Sequence, residues 1–423
     1  RTSRKRRFSY QTSSIDQFWS HSWHGSKYSK ILTALYLNNG MLAVLVSTLG
    51  SLMVMIFVGL GLIPGLRTSG GLPLTPWCLL SGFGMYLLVL FGWRPRHSIF
   101  IDVLCINQQD EVEKAAGLLS MGAILKCSDA LLVLWDATYT RRLWCVFEMS
   151  AFLHSRPANQ RPKLTIRPTI LGPCLISLPI ALVAIVVAIG LLDWDELAHK
   201  KHILFPLMAL CAFIGGYVVV AVLRAYFGSV QQLQDELCNF TVRDSLCFCC
   251  STNHVSKRGH PIACDRRIVL QCIRTWFGSV EAFDAKVRTQ VLELLAQQLS
   301  NEIWTYTQCA GSAIPLLWHF MDNAATNAAM VPDHNGTLYI LWAIRELVRG
   351  LGWTLGVLPL VFFLGARLAY AFRRRRTWLC CGVLVNSSIV GFLVLVFVAA
   401  LELEQLCWML ENVLSGDEQF HLN

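Results

Sequence analysis

Six stretches of about twenty residues each run almost without charge: Met41–Leu62, Pro76–Trp93, Thr169–Leu192, Ile203–Leu223, Leu351–Phe372 and Trp378–Leu401. No other feature of the chain restricts its fold as strongly. A hydrocarbon core roughly 30 Å thick is crossed by about 20 apolar residues wound as a helix, the conformation that satisfies its own backbone hydrogen bonds where no water is present. Only 15% of the 423 residues are charged, and the mean hydropathy is +0.49. An α-helical, multi-pass membrane region is therefore predicted, with the lipid bilayer as its partner. The six runs contain no Asp, Glu or Lys and a single Arg367. Coupled transporters usually carry ionisable groups at mid-membrane, so a passive channel or transporter ranks behind the readings developed below.

The net charge of +9 comes largely from Arg4–Arg7 and Arg373–Arg376. Such runs bind nucleic acid, or they flank spans on the cytoplasmic side beside anionic lipid. Next to six apolar runs the second role is the expected one, and no nucleic-acid partner is expected. Arg1–Lys30 is polar and basic, so no cleavable signal peptide is expected and the N-terminus is placed in the cytoplasm of a membrane that the sequence does not specify. With six spans Arg373–Arg376 would lie outside. A seventh span over Ile303–Met321, which carries no Asp, Glu, Lys or Arg, would return it inside and expose the Asn335 sequon. Gln308, Pro315 and His319 oppose that placement, and a helix packed on the membrane competes with it. The sixteen cysteines lack the dense spacing of a secreted disulfide scaffold and are expected to be reduced. Cys380 and Cys381 are candidate palmitoylation sites.

Between the apolar runs lie polar pieces with α/β patterning. Ser98–Ile106 reads as a buried strand, Glu111–Cys127 as an amphipathic helix, Ala130–Trp135 as a second strand and Arg141–Leu153 as a second helix. Gln17–Ser22 followed by Ser26–Leu37 repeats the strand–turn–helix pattern, and Lys163–Arg167 is one further short strand. Alternation of this kind predicts a parallel sheet. The chain thus divides into a basic arm (1–13), the first part of an α/β domain (14–40), a transmembrane hairpin (41–93), the rest of that domain (94–168), a second hairpin (169–223), a helical cytoplasmic piece (224–302), a weak or amphipathic membrane segment (303–350), a third hairpin (351–401) and an acidic tail (402–423).

In an open parallel sheet a ligand sits beyond the carboxyl ends of the strands. Ser22, Trp23, His24, Gly25 and Ser26 end the first strand, Asn107 and Gln108 the second and Asp136 the third. Gly25 would allow close backbone approach. The amides opening the following helix would receive a pyrophosphate, and Trp23 or Trp135 would stack on a ring.

Three motifs add a resemblance. WCVFE (Trp144–Glu148), after a strand and a polar turn, resembles the corresponding helix of TIR domains. FIDVLCINQ, then LLVLWD and YTRRLWCVFEM, resemble the fungal heterokaryon-incompatibility (HET) domain, a relative of TIR, and SHSWHGSKYSK is similar to the first strand and loop of that superfamily. The likeness covers Phe18–Leu37 and Ser98–Leu153, just under a fifth of the chain. It implies a flavodoxin-like α/β fold, here split by a transmembrane hairpin and with one strand after WCVFE where TIR domains usually supply two. It also implies signalling by self-assembly as a homo-oligomer, with NAD as a substrate. Glu148 is then the implied catalytic residue, and Trp144 joins the candidate cofactor-binding set. Cleaving the nicotinamide–ribose bond passes through an oxocarbenium-like state that a carboxylate stabilises. Glu148 as a structural partner of Arg141 or Arg142, in a domain that only assembles, is the competing expectation.

A separate cluster, CFCCSTNHVSKRGHPIAC, offers Cys247, Cys249, Cys250, His254, His260 and Cys264 as ligands for tetrahedral zinc. Its spacing fits no standard finger. Palmitoylation of Cys249 and Cys250, or plain buried thiols, stay open beside zinc.

Overall fold

The computed structural model describes residues 9–23, 25–67, 73–74, 76–107, 110–157, 162–190, 201–255, 259, 261, 264–300, 305–330, 336–374 and 379–415. Expectations placed on Arg1–Arg7, His24, Gln108, His260 and Asn335 lie outside them. The chain forms two compact units. One gathers residues 1–38, 94–174 and 229–303, and the other residues 39–93, 175–228 and 304–423.

The first unit is built on a four-stranded sheet: β1 (Ile15–His21), β2 (Ile99–Phe100), β3 (Ser128–Trp135) and β4 (Lys163–Pro168). All neighbours pair in parallel, in the order β2-β1-β3-β4. The order therefore reverses at β1, as at the switch point of doubly wound sheets. β1 and β3 are the inner strands, and Phe18, Leu131 and Val133 are essentially inaccessible. β2 is shorter than its apolar run predicts. The chain leaves the sheet after Ile101 and turns once as α3 (Asp102–Cys105), where the Asp102 carboxylate accepts the Val103 N–H at 2.7 Å. The predicted helix over Glu111–Cys127 is two helices, α4 (Glu111–Leu119) and α5 (Met121–Lys126), broken at Ser120.

Helix α6 (Leu143–His154) carries the WCVFE motif and buries nine residues, including Glu148. It is buried nearly all round because it forms a middle layer, with β1 and β3 on one side and α10 (Asp265–Phe277) on the other. Phe147 stacks on Trp276 at 5.2 Å. Beyond α10, α11 (Val280–Lys286) and α12 (Leu292–Ser300) continue the outer layer through one π-helical turn (Val287–Val291), with Phe283, Val287, Val291, Leu295 and Leu299 inward. α12 lies along the free edge of β4. There the Gln298 side-chain amide accepts the Ile166 N–H at 2.6 Å and donates to Leu164 O at 2.8 Å.

Helix α1 (Lys27–Gly59) runs from shortly after β1 into the first apolar stretch without a break. The first turn of α7 (Leu171–Gly190) crosses its early part so closely that a Cβ on Gly172 would lie 2.3 Å from the Thr33 backbone nitrogen. Thr33 Oγ1 donates to Thr169 O at 2.7 Å and accepts the Gly172 N–H at 3.0 Å.

The second unit is helical. It contains the later part of α1, α2 (Trp77–Gly92), most of α8 (Lys201–Cys238), α13 (Tyr306–Ala329), α14 (Gly336–Leu351), α15 (Leu358–Ala371) and α16 (Leu379–Ser415). A two-stranded antiparallel ribbon (Leu66–Arg67 with Pro73–Leu74) lies between α1 and α2. α13 covers the weak seventh run and is the most enclosed of these helices, with Trp318 fully buried. Its Asp322 carboxylate accepts the Cys78 and Leu79 N–H groups at 2.7 and 3.0 Å, satisfying donors that the first turn of α2 leaves open. α16 continues past Leu401. Glu404 is thereby a helical residue, paired with Arg349 of α14 at 2.8 Å, and Arg345 stacks on Trp408 at 3.5 Å.

Among the described residues four helices are long and apolar enough to cross a membrane: Lys27–Gly59, Phe213–Cys238, Gly336–Ala371 and Cys380–Met409. The predicted spans at Pro76–Trp93 and Thr169–Leu192 correspond to shorter apolar helices within that description, Trp77–Gly92 and Leu171–Val187.

Candidate functional site

The carboxyl ends of β1, β2 and β3 bring together His21, Lys30, Asp102, Asp136 and Glu148. His21 is held below its ordinary pKa by burial and by the charge of Lys30, against Asp102 and Asp136, which act the other way. Glu148 is 8% exposed. Burial, with the negative charge of Asp102 beside it, pushes its carboxyl up to about 8.

Ser20 Oγ donates to Glu148 Oε2 at 2.6 Å and lies 2.7 Å from the Tyr139 hydroxyl, which donates to Cys145 O at 3.1 Å. Burial outweighs the Ser20 hydrogen bond and favours the neutral acid at pH 7.

The predicted strand-end residues divide in their surroundings. Trp23 is 53% exposed and donates Nε1–H to Asp102 at 2.8 Å. Ser22 shares a 2.6 Å contact with Thr138. Ser26 Oγ accepts the Ser29 N–H at 3.3 Å and so serves the first turn of α1. Asn107 donates to Glu113 at 2.8 Å. Gly25 does admit a close approach, by Asp136: a Cβ there would lie 2.2 Å from Asp136 Oδ2. The same oxygen faces Lys30 Nζ at 3.7 Å, and Lys30 also donates to Ser22 O. An internal carboxylate, neutralised by Lys30, thus occupies the space expected for a pyrophosphate. Trp135 is buried in the sheet and is not available for stacking. Trp144 turns toward α10, with Nε1 3.4 Å from Asp265 and its ring edge-on to Phe147. Arg141 pairs with Glu236 on α8 rather than with Glu148.

Sequence reading missed Ser20, His21, Lys30 and Tyr139. The signal for His21 and Lys30 was weak, a polar residue at a strand end and a lysine one turn into the next helix.

The cysteine cluster assembles elsewhere in the same unit, between α9 (Phe248–Ser251) and the start of α10. Cys249, Cys250, His254 and Cys264 offer ligand atoms all within 4.8 Å of one another. Cys247 falls in an adjoining group with Cys249 and Asp265.

Comparison with protein-family models, with curated proteins and with solved structures finds no match.

Proposed function

We propose that the chain is a multi-pass membrane protein with six or seven spans, whose α/β unit is a cytoplasmic TIR/HET-like domain acting in signalling or stress response by self-assembly. In this reading its strand-end cleft hydrolyses NAD. The observation that carries it is Glu148, a buried carboxyl hydrogen-bonded to Ser20 of β1, where the strand order reverses, with the charge of Asp102 from the end of β2 acting on it. Four helices of membrane-crossing length support the membrane part, and α2 and α7 would complete the six spans.

Water adds to ribose C1′ as nicotinamide leaves with the bonding pair, giving nicotinamide, ADP-ribose and a proton. The charge that develops on the ribose is positive, so Glu148 acts in its ionised form. Because its pKa stands near 8, turnover rises with pH through that value. The exposed Trp23 ring, fixed by Asp102, offers a stacking face at the cleft mouth.

The closed hydrogen-bond chain from Glu148 to Cys145 O favours a second reading, a non-enzymatic membrane scaffold in which Glu148 only braces α6 against β1. One assay separates the two. Full-length protein, reconstituted in lipid and deliberately clustered, should release nicotinamide from NAD, Glu148→Ala should not, and Asp102→Asn should move the pH midpoint down. Equal release by wild type and Glu148→Ala removes Glu148 from the chemistry. No release from wild type between pH 6 and 9 leaves the scaffold.

A further inference from the structure

We infer that Cys249, Cys250, His254 and Cys264 form a zinc site that ties α9 and the turn after it to the start of α10. Zinc bound by thiolates at about 2.3 Å and imidazole at about 2.0–2.1 Å sets S···S edges near 3.8 Å and S···N edges near 3.6 Å. The three edges that meet at Cys250 match: Cys249 and Cys250 sulfurs are 3.9 Å apart, Cys250 and Cys264 sulfurs 3.9 Å, and Cys250 Sγ is 3.7 Å from His254 Nε2, while the other three lie within 4.8 Å. Cys247 does not, since its sulfur is 3.2 Å from that of Cys249, too close for two ligands of one tetrahedron.

The backbone supplies an independent sign. Asn253 and His254 both adopt positive φ, 52° and 59°. Two successive non-glycine residues in that region are costly, and such conformations persist where something holds them. The Asn253 N–H donates to Cys250 O at 3.3 Å and the His254 N–H to Cys249 O at 2.8 Å, which folds the imidazole back over the sulfurs. The Asp265 N–H, at the opening of α10, donates to Cys249 Sγ at 3.2 Å, which ties that sulfur to the helix start. Cys247 is placed to donate its S–H to the same sulfur as an outer partner. Three soft sulfurs and one imidazole within 4.8 Å of one another select zinc among the common divalent ions.

The site has a structural consequence because the loop is tied to the WCVFE helix at both its ends. Before Cys247, Leu246 bridges to Arg142, donating its N–H to Arg141 O at 2.7 Å and accepting the Leu143 N–H at 3.3 Å. After Cys264, Asp265 meets the Trp144 indole. The metal therefore fixes the first turn of α6, one turn ahead of Glu148.

Purified full-length protein in detergent should carry one zinc per chain after dialysis against metal-free buffer. The cobalt-substituted protein should show thiolate-to-cobalt charge transfer and tetrahedral d–d bands. Cys264→Ser and His254→Ala should lose the metal, His254→Cys should retain it, and Cys247→Ser should weaken it by no more than the 10–100-fold typical of an outer partner. A metal-free wild type with unchanged circular dichroism and thermal unfolding overturns the site, as does an octahedral cobalt spectrum. Loss of metal from Cys247→Ser as complete as from Cys264→Ser overturns the ligand assignment. The cobalt spectrum of wild type tests the site even where a variant fails to fold.

Discussion

Glu148 shows how one residue's surroundings set its chemistry. Its carboxyl stands at about 8 in the folded chain against an ordinary value of 4.5, so the folded state holds a proton that the unfolded state releases between those values. The associated stability is complete below pH 4.5 and is lost as pH rises through about 8. The loss is on the order of 5 kcal/mol. Glu148→Gln keeps the shape and the neutral charge. Its urea-unfolding free energy should therefore exceed that of wild type increasingly from pH 5 to pH 9, with the two converging at low pH. Equal pH dependence in the two proteins would show that Glu148 is ionised when folded. The motif made Glu148 itself legible in the sequence. Its partners were not legible, since Ser20 lies 128 residues and Tyr139 lies 9 residues away with nothing in either local pattern to join them to it. Gly25 was legible as a point of close approach. The group that approaches it, Asp136, was not, because both had been assigned to the same ligand.

At the scale of elements the apolar patterns located β1, β3, β4 and α6 well and failed where polar groups found local partners. Asn38, Asn39 and Gly40 look like a helix end, yet α1 passes through them. Asn38 Nδ2 donates to Ala34 O at 2.7 Å, and Asn39 Nδ2 donates to Leu90 O and Trp93 O at 2.9 and 3.1 Å. Their side chains serve carbonyls instead of competing for the helix's own backbone. β2 failed for the opposite reason. An unbroken apolar run does not distinguish strand from helix, and Asp102 holds the turn that ends the strand. After the WCVFE helix the one predicted strand forms as β4, and α12 packs along its outer edge. Gln298→Leu preserves packing volume but strands the Ile166 N–H and Leu164 C=O. It should cost about 2–4 kcal/mol, read as a lower melting temperature of the purified protein. An unchanged melting temperature would mean that water replaces the amide.

Across the whole molecule the sequence alternates between two solvents, and the apolar runs made that alternation readable before any contact was known. The four longest apolar helices expose large side chains such as Leu45, Leu49, Leu384 and Leu395, as lipid-facing helices do. The chain should stay in the membrane pellet after alkaline carbonate and leave it only with detergent; release by carbonate alone would mean a peripheral attachment. The number of spans was less legible, since α2 and α13 are short or enclosed and the sequence does not say whether an apolar helix faces lipid or protein. The sheet, finally, limits how copies of this chain can join. One of its borders is two residues long, and at the other a glutamine amide imitates the peptide group of an absent neighbour. Among the described residues neither border presents a long open edge, which disfavours growth by sheet extension. Copies that cluster would then meet through helices and loops, which favours assemblies of defined size or reversible arrays over fibres stitched together by backbone hydrogen bonds.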